Sequence, residues 1–386
     1  MKLSTLYKEF FNSEKAGGLI LLAVTILSLL LANSNIKESY QSILHFSIAG
    51  NTFTHWINDG LMAIFFLLIG LELEREVYEG ELSTLQNALL PMAGALGGMI
   101  APAAIFLAFN YGTSTQSGAG IPMATDIAFA LGILSLLGNK VPASLKIFLT
   151  ALAVIDDLAA IIIIAVFYTK TIVWVYLMIA LGIWAFLFLL NRLKVYNLIP
   201  YIIGGIALWY CMLNSGVHAT IAGVILAFVI PFGNGGNKSP SYILQHFLHK
   251  PVAFIILPLF ALANTAISVG GNVNTIFYES YSLGIMLGLV IGKGFGIFLF
   301  CVFAVAVGIC TLPSEIKKIH ILGTAFLGGI GFTMSIFIAM LAFDDATIIN
   351  NAKLVILVSS FIAGLTGYLI LKKTLKVELN EEDEDA

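Results

Sequence analysis

The sequence predicts an all-α polytopic membrane protein of about twelve transmembrane helices, and three observations predict it. Hydrophobic residues make up 59% of the 386 residues and charged residues only 11%, against about 25% charged in a soluble domain. Apolar runs of spanning length, separated by polar or Gly/Pro breaks, begin near Ala16, Trp56, Ala88, Ile121, Ala143, Thr171, Leu198, Gly216, Val252, Ser282, Ile319 and Leu354. The cations are also partitioned. With the N-terminus inside, fifteen of the 19 Lys and Arg fall on inner segments and three (Lys37, Lys170, Lys353) on outer ones, while Lys293 is left within the tenth span. That bias puts both termini in the cytoplasm. The net charge of -3 discriminates little, because nearly all charge belongs to loops and tails. Nothing in this composition suggests a nucleic-acid partner. Cys211, Cys301 and Cys310 all fall in apolar runs and read as small core residues rather than disulfide or metal partners.

Before the first span, Leu3, Leu6, Tyr7, Phe10 and Phe11 have helical spacing and suggest a short interfacial helix. No small-residue cleavage site follows, so the segment reads as retained rather than as a signal peptide. The first outer loop, His45 to Trp56, holds short alternating runs around Ala49, Gly50 and Asn51, which signals a β-hairpin. An exposed hairpin edge offers a route to a homodimer, and an ordinary loop is the competing reading.

The second span runs into Glu72, Glu74, Arg75, Glu76, Glu79 and Glu81. The plain reading is a solvated helix end; the alternative is an electrostatic funnel that draws cations in. The third span is rich in small residues that permit close helix approach. The fourth carries Pro122, Thr125 and Asp126 and has too few apolar residues to be one uninterrupted helix. A break there exposes helix ends whose partial charges suit ions.

The fifth span organises the chain. If 143–168 is one helix, Asp156 and Asp157 lie near its midpoint. An aspartate there costs roughly 2.5–3.5 kcal/mol on insertion scales, so a functional site is the default reading. A soluble magnesium enzyme with a DDxxD run is the competing reading. It fails because Leu158, Ala159, Ala160 and then isoleucines follow the pair, with no further carboxylate at the needed spacing.

The tenth span sets Lys293 between Gly292 and Gly294, too deep to snorkel, so it is expected to pair with Asp156 or Asp157. The eleventh span carries Gly328, Gly329 and Gly331 and then Thr333 and Ser335, and invites the same interruption as the fourth. Two interrupted spans, each second in a group of three, are the pattern of an inverted repeat over spans 3–5 and 10–12.

The fragments ATDIAF, IDDLAAIIIIA, WINDGLMAIFFLLIGLE, SGVHATIAGV, ILPLFALANT, IGKGFGI and GGIGFTMSIFIA together resemble the NhaA family of bacterial sodium/proton antiporters, in compatible order from the N-terminal helix to the last span. That family is itself a type case of the inverted-repeat rule, so the rule and the resemblance are not independent. The resemblance implies a single transporter domain over 1–386. Its core repeats would be 88–168 and 282–372, with panel and dimer-side helices at 16–84 and 198–267 and an acidic cytoplasmic tail at 373–386.

It also implies roles. Asp156 and Asp157 become the cation- and proton-binding pair that holds Na+ or Li+, Thr125 and Asp126 line the crossing of the broken helices, and Lys293 is the cationic partner of Asp156. Glu72, Arg75 and Glu76 match a cytoplasmic funnel associated with pH response. Gln245, just before His246 in the inner loop that the family associates with pH control, stands where members often carry Glu, and Glu74 where a basic residue can occur. Asp59 matches a position near the outward side. His218, in GVHAT, is a site candidate or a structural histidine.

The expected activity is antiport, not enzymatic catalysis: Na+ or Li+ leaves the bacterial inner membrane in exchange for H+ by alternating access, electrogenically and under pH control, with no cofactor. Adjacent helical residues point about 100° apart, so the two aspartates need not play equal roles. Three alternatives differ by what they require. Uptake of an organic solute wants more hydrogen-bonding side chains than Thr125, Thr333 and Ser335. An intramembrane aspartyl protease wants carboxylates facing each other from separate helices, and a channel wants flux far above carrier rates.

Overall fold

The computed structural model describes residues 14–169, 171–268 and 273–375. The expected interfacial helix at 3–11, Lys170 and the tail from residue 376 lie outside the described residues. Among the described residues, nine helices are long and apolar enough to cross a membrane, ten when one bent pair counts as a single span. The helices that form the spans or lie between them are, in chain order, α1 (Glu14–Ala32), α2 (Phe53–Tyr78), α3 (Leu85–Asn110), α4 (Ile127–Ser135), α5 (Ala143–Phe167) and α6 (Trp174–Arg192). Then come α7 (Ile199–Ser215), α8 (Ile221–Ala227), α9 (Pro240–Asn264), α10 (Ser280–Ala306), α11 (Lys318–Gly328), α12 (Phe332–Ala342) and α13 (Ala346–Thr374). The seventh and eighth expected spans are the short ones, α7 with 17 residues and α8 with 7.

The predicted hairpin is present. β1 (Ser47–Ile48) pairs antiparallel with β2 (Asn51–Thr52) across Ala49 and Gly50, both at positive φ, 52° and 88°. A two-residue turn with both central residues left-handed matches the twist of the flanking strands. The Trp56 indole donates to the Ile48 carbonyl at 2.9 Å and ties the turn to the start of α2.

Two expectations are corrected. Gln245 and His246 do not lie in an inner loop. The Ser239 hydroxyl accepts the Tyr242 amide and Pro240 occupies the first turn, so the helix starts at Pro240 and continues to Asn264. The missing amide of Pro251 is absorbed by a π-turn over Val252–Ile256. Nor is Lys353 in an outer loop. Asp345 caps α13 by accepting the Thr347 and Ile348 amides at 2.7 and 3.2 Å, so helix begins at Ala346 and carries Lys353 inside, where it is buried. The Ile348 and Thr347 amides hold the Asp345 carboxyl below the usual carboxylate range.

The small residues of the third span allow close helix approach. A side-chain carbon on Gly97 of α3 would overlap the Gly296 carbonyl of α10, and one on Gly296 would overlap that of Gly97. The two backbones therefore touch, which sets α10 and its lysine against α3. The fourth span breaks into a 3-10 helix (Gln116–Met123), an extended stretch at 124–126 and α4. The eleventh breaks between α11 and α12, which meet at a 47° bend.

Candidate ion-binding site

The two breaks hydrogen-bond to one another. The Asp126 amide donates to the Ile330 carbonyl at 2.7 Å. Asp126 Oδ1 accepts the Phe129 amide at 3.0 Å, capping α4, while Oδ2 accepts the Thr333 amide at 3.1 Å and the Thr333 hydroxyl, capping α12. One carboxylate thus serves two half-helix N-termini, where partial positive charge favours an anion. The orphaned carbonyls at the opposing ends find donors too. Gly328 O receives the Thr125 hydroxyl at 2.8 Å, Ile121 O the Ser335 hydroxyl at 2.7 Å, and Met123 O the Lys293 ammonium.

α5 passes this crossing and presents both aspartates to it, each 1% exposed. Asp156 Oδ2 lies 2.8 Å from Lys293 Nζ and 2.7 Å from the Thr125 hydroxyl. Lys293 is fully buried, at the end of a π-turn over Gly288–Lys293. The glycines beside it are packing residues. A side chain on Gly292 would strike Pro102, and one on Gly294 would strike Phe326. Asp157 is different. Neither of its carboxyl oxygens, nor Asp156 Oδ1, has a hydrogen-bond partner among the described residues. A buried carboxylate without donors is costly unless it holds a proton or a cation. These three oxygens are therefore donors available to a small cation.

The Thr125 hydroxyl has one proton and two acceptors within reach, Asp156 Oδ2 and Gly328 O. When Asp156 is ionised, Thr125 donates to it or to Gly328. When Asp156 is protonated, it donates to Thr125, which is then free to donate to Gly328. Proton occupancy of Asp156 is thereby coupled to the backbone at the break of the eleventh span.

A cavity of about 410 Å³ leads toward this crossing. Its mouth is lined by Glu72, Arg75, Glu76, Gln245 and His249, and it reaches Thr150 and Val154 on α5 and Ile127 and Ala128 on α4. Val154 is one helical turn from Asp157. Arg75 organises the mouth: its guanidinium donates to Gln245 Oε1 at 3.1 Å and to Gly235 O at 3.2 Å, pairs with Glu79 at 3.7 Å and sits over the Tyr242 ring at 4.5 Å. Glu72 lies 3.8 Å from His249.

A match to the family model described as Na+/H+ antiporter 1 covers residues 8–371. The chain belongs to that family. Relatives named Na(+)/H(+) antiporter NhaA include one from Flavobacterium psychrophilum, 67% identical over 97% of this chain and 98% of its own. A second, from Flavobacterium johnsoniae and named NhaA 1, is 64% identical over 98% of this chain and 100% of its own. A third, from Vibrio campbellii, is 48% identical over 98% of each. With this membership the helices read as those of a multi-pass membrane protein.

The remaining expected residues of this antiporter-family chain lie apart from the crossing. His246 does not line the cavity: it stacks on Tyr242 at 3.8 Å between ring centres, and its Nδ1 meets Tyr242 O at 3.1 Å. His249, one turn on, lines the cavity. Glu74 is buried and accepts the Ser241 hydroxyl at 3.1 Å. Asp59 sits in a π-turn over Trp56–Leu61, at the opposite end of α2 from Glu72, with His55 Nδ1 at 3.0 Å from its Oδ2. His218 lies in the turn between α7 and α8, not on an apolar helix, and its Nε2 is 2.8 Å from Tyr168 O.

Sequence reasoning did not anticipate the carbonyls of Met123, Gly328 and Ile330, because a main-chain oxygen leaves no mark in a sequence. It also passed over His249.

Proposed function

We propose that this chain exports Na+ or Li+ across the bacterial inner membrane in exchange for H+, by alternating access, with both termini cytoplasmic. The observation that carries the reading is the contrast within one buried pair: Asp156 is bonded to Lys293 and Thr125, while Asp157 has no donor among the described residues. Asp157 is the principal cation ligand, supplemented by Asp156 Oδ1. Proton affinity at each carboxyl is set by desolvation and by the charges beside it. The same oxygens bind either the cation or protons, and this competition couples the two fluxes.

Asp126 and Thr125 hold the crossing together. As Na+ and H+ trade places, Lys293 gains or loses Asp156 as its partner. If two protons enter for each sodium that leaves, the cycle carries net charge and the membrane potential drives it. Residues 88–168 and 282–372 form the moving core and 16–84 and 198–267 the panel. Membership of a transporter family, together with adjacent rather than facing carboxylates, favours transport over proteolysis.

Glu72, Arg75, Glu76, Gln245 and His249 form the inner mouth and tune access with pH; Asp59 and His218 serve the outward side. The hairpin at 47–52 is the dimer contact. The test is sodium-triggered proton movement in everted vesicles across a pH series. Wild type should show it, and Asp156→Asn and Asp157→Asn should each lose most of it. No sodium-dependent signal at any pH would sink the antiport reading in favour of solute uptake.

A further inference from the structure

At the hairpin end, the seam between α2/α9 and α12/α13 is closed by polar contacts that the ion site does not use. Asn264 Nδ2, on the last residue of α9, donates to Asn58 Oδ1 of α2 at 2.7 Å, and Asn58 Nδ2 approaches Asn264 Oδ1 at 3.5 Å and Met340 Sδ of α12 at 3.7 Å. Lys353 of α13, only 9% exposed, donates to the same Asn264 oxygen at 3.4 Å. Deeper along the seam, Phe66 of α2 and Phe260 of α9 pack on Phe337 of α12 at 5.5 and 6.3 Å, all three buried. At the opposite end the charged cavity stands open.

A buried ammonium that meets a carboxamide rather than a carboxylate is a poor way to hold two halves together permanently. An apolar side chain of similar volume would pack there without desolvating a charge. It is a good way to hold them reversibly, because a long bond to a neutral acceptor is weak and the amine regains water when the seam opens.

We propose that Lys353, Asn264 and Asn58 form a releasable latch, which keeps the hairpin end of the pathway shut while the charged end is open and parts when the core turns the ion site toward the hairpin side. The inference rests on the alternating-access reading above. Lys353 and Asn264 act as positioning residues: they touch neither ion and set the balance between two states.

Two variants should move that balance in opposite directions. Lys353→Met keeps the volume and removes the donor, so the state open at the hairpin end gains population. The apparent KM for sodium offered at the charged end then rises about fivefold. Asn264→Asp gives Lys353 a charged acceptor, and the Asn58 amide turns to donate to the new carboxylate in place of the bond from Nδ2, so the latch tightens. Maximal rate then falls about tenfold, while KM at the charged end falls or holds. Both are assayed in everted vesicles beside wild type, normalised to the amount of folded transporter. Loss of folded protein alone, with KM and turnover per molecule unchanged in both variants, would overturn the latch, as would KM moving the same way in both. If wild type in the same vesicles shows no sodium-dependent proton movement, the antiport reading fails and the latch fails with it. If wild type is active and the variants do not split, only the latch fails.

Discussion

Lys293 Nζ lies 2.8 Å from Asp156 Oδ2, and both side chains are fully withdrawn from solvent. The ammonium bonds the carboxylate on one side and the Met123 carbonyl on the other. It therefore joins α5, α10 and the first broken helix at one point. Asp157, the next residue, has no such partner among the described residues. That single ion pair is what distinguishes the surroundings of two chemically identical neighbours.

Removing one member of a buried pair should be far worse than removing both charges. Lys293→Met leaves Asp156 uncompensated and should lower stability by about 3–5 kcal/mol, visible as a lower Tm in a thermal-shift assay. Combining it with Asp156→Asn should recover much of that loss. Additive single and double effects would show that the pair contributes no coupling.

The Thr125 hydroxyl links Asp156 to the Gly328 carbonyl. Thr125→Val keeps the shape and deletes the link. Its apparent sodium affinity should weaken about tenfold, in line with the loss of a hydrogen bond to a charged group, while Thr125→Ser stays near wild type. Equal loss in both variants would assign the role to the methyl group instead.

Gly97 and Gly296 let α3 and α10 meet backbone to backbone. Gly296→Ala should destabilise by roughly 1–3 kcal/mol through overpacking. Gly182→Ala, where nothing among the described residues lies within 4 Å of an added carbon, should be neutral or stabilising by up to about 1 kcal/mol. The comparison is made by thermal unfolding in detergent; similar Tm values for the two would contradict the contact.

How much of this was legible in the residues can be argued place by place. Asp156, Asp157 and Lys293 were conspicuous because charge in hydrocarbon is costly, and the breaks because the fourth span has too few apolar residues around Pro122, Thr125 and Asp126 and the eleventh carries Gly328, Gly329 and Gly331. The way Asp126 caps both α4 and α12 was not legible, since it depends on two half-helices meeting from distant parts of the chain. Lys353 was misplaced for a simpler reason. Asp344, Asp345, Thr347, Asn350 and Asn351 look like loop, yet Asp345 caps a helix that begins at Ala346. Gln245 was placed in a loop because its helix is amphipathic rather than apolar, although Ser239 and Pro240 signalled its start.

Gln245 accepts a hydrogen bond from Arg75 at the cavity mouth. Gln245→Glu converts that contact into an ion pair that exists only while the new carboxyl is ionised. As pH falls and the carboxyl takes up a proton, the added attraction is lost. The variant should therefore lose activity on the acid side at a higher pH than wild type and Gln245→Ala do. Antiport measured across a pH series at saturating sodium checks this, and superimposable profiles for all three would remove Gln245 from pH control.

The central claim is that sodium and protons compete for the Asp156/Asp157 pair, and proton release on sodium binding tests it most directly. Purified protein in weakly buffered detergent solution is titrated with NaCl while the pH is followed, with choline chloride as the ionic-strength control. The account predicts that sodium releases protons, that apparent sodium affinity weakens as pH falls, and that Asp157→Asn abolishes the release. Sodium binding of undiminished affinity with no proton released at any pH, or release that survives in Asp157→Asn, would contradict it.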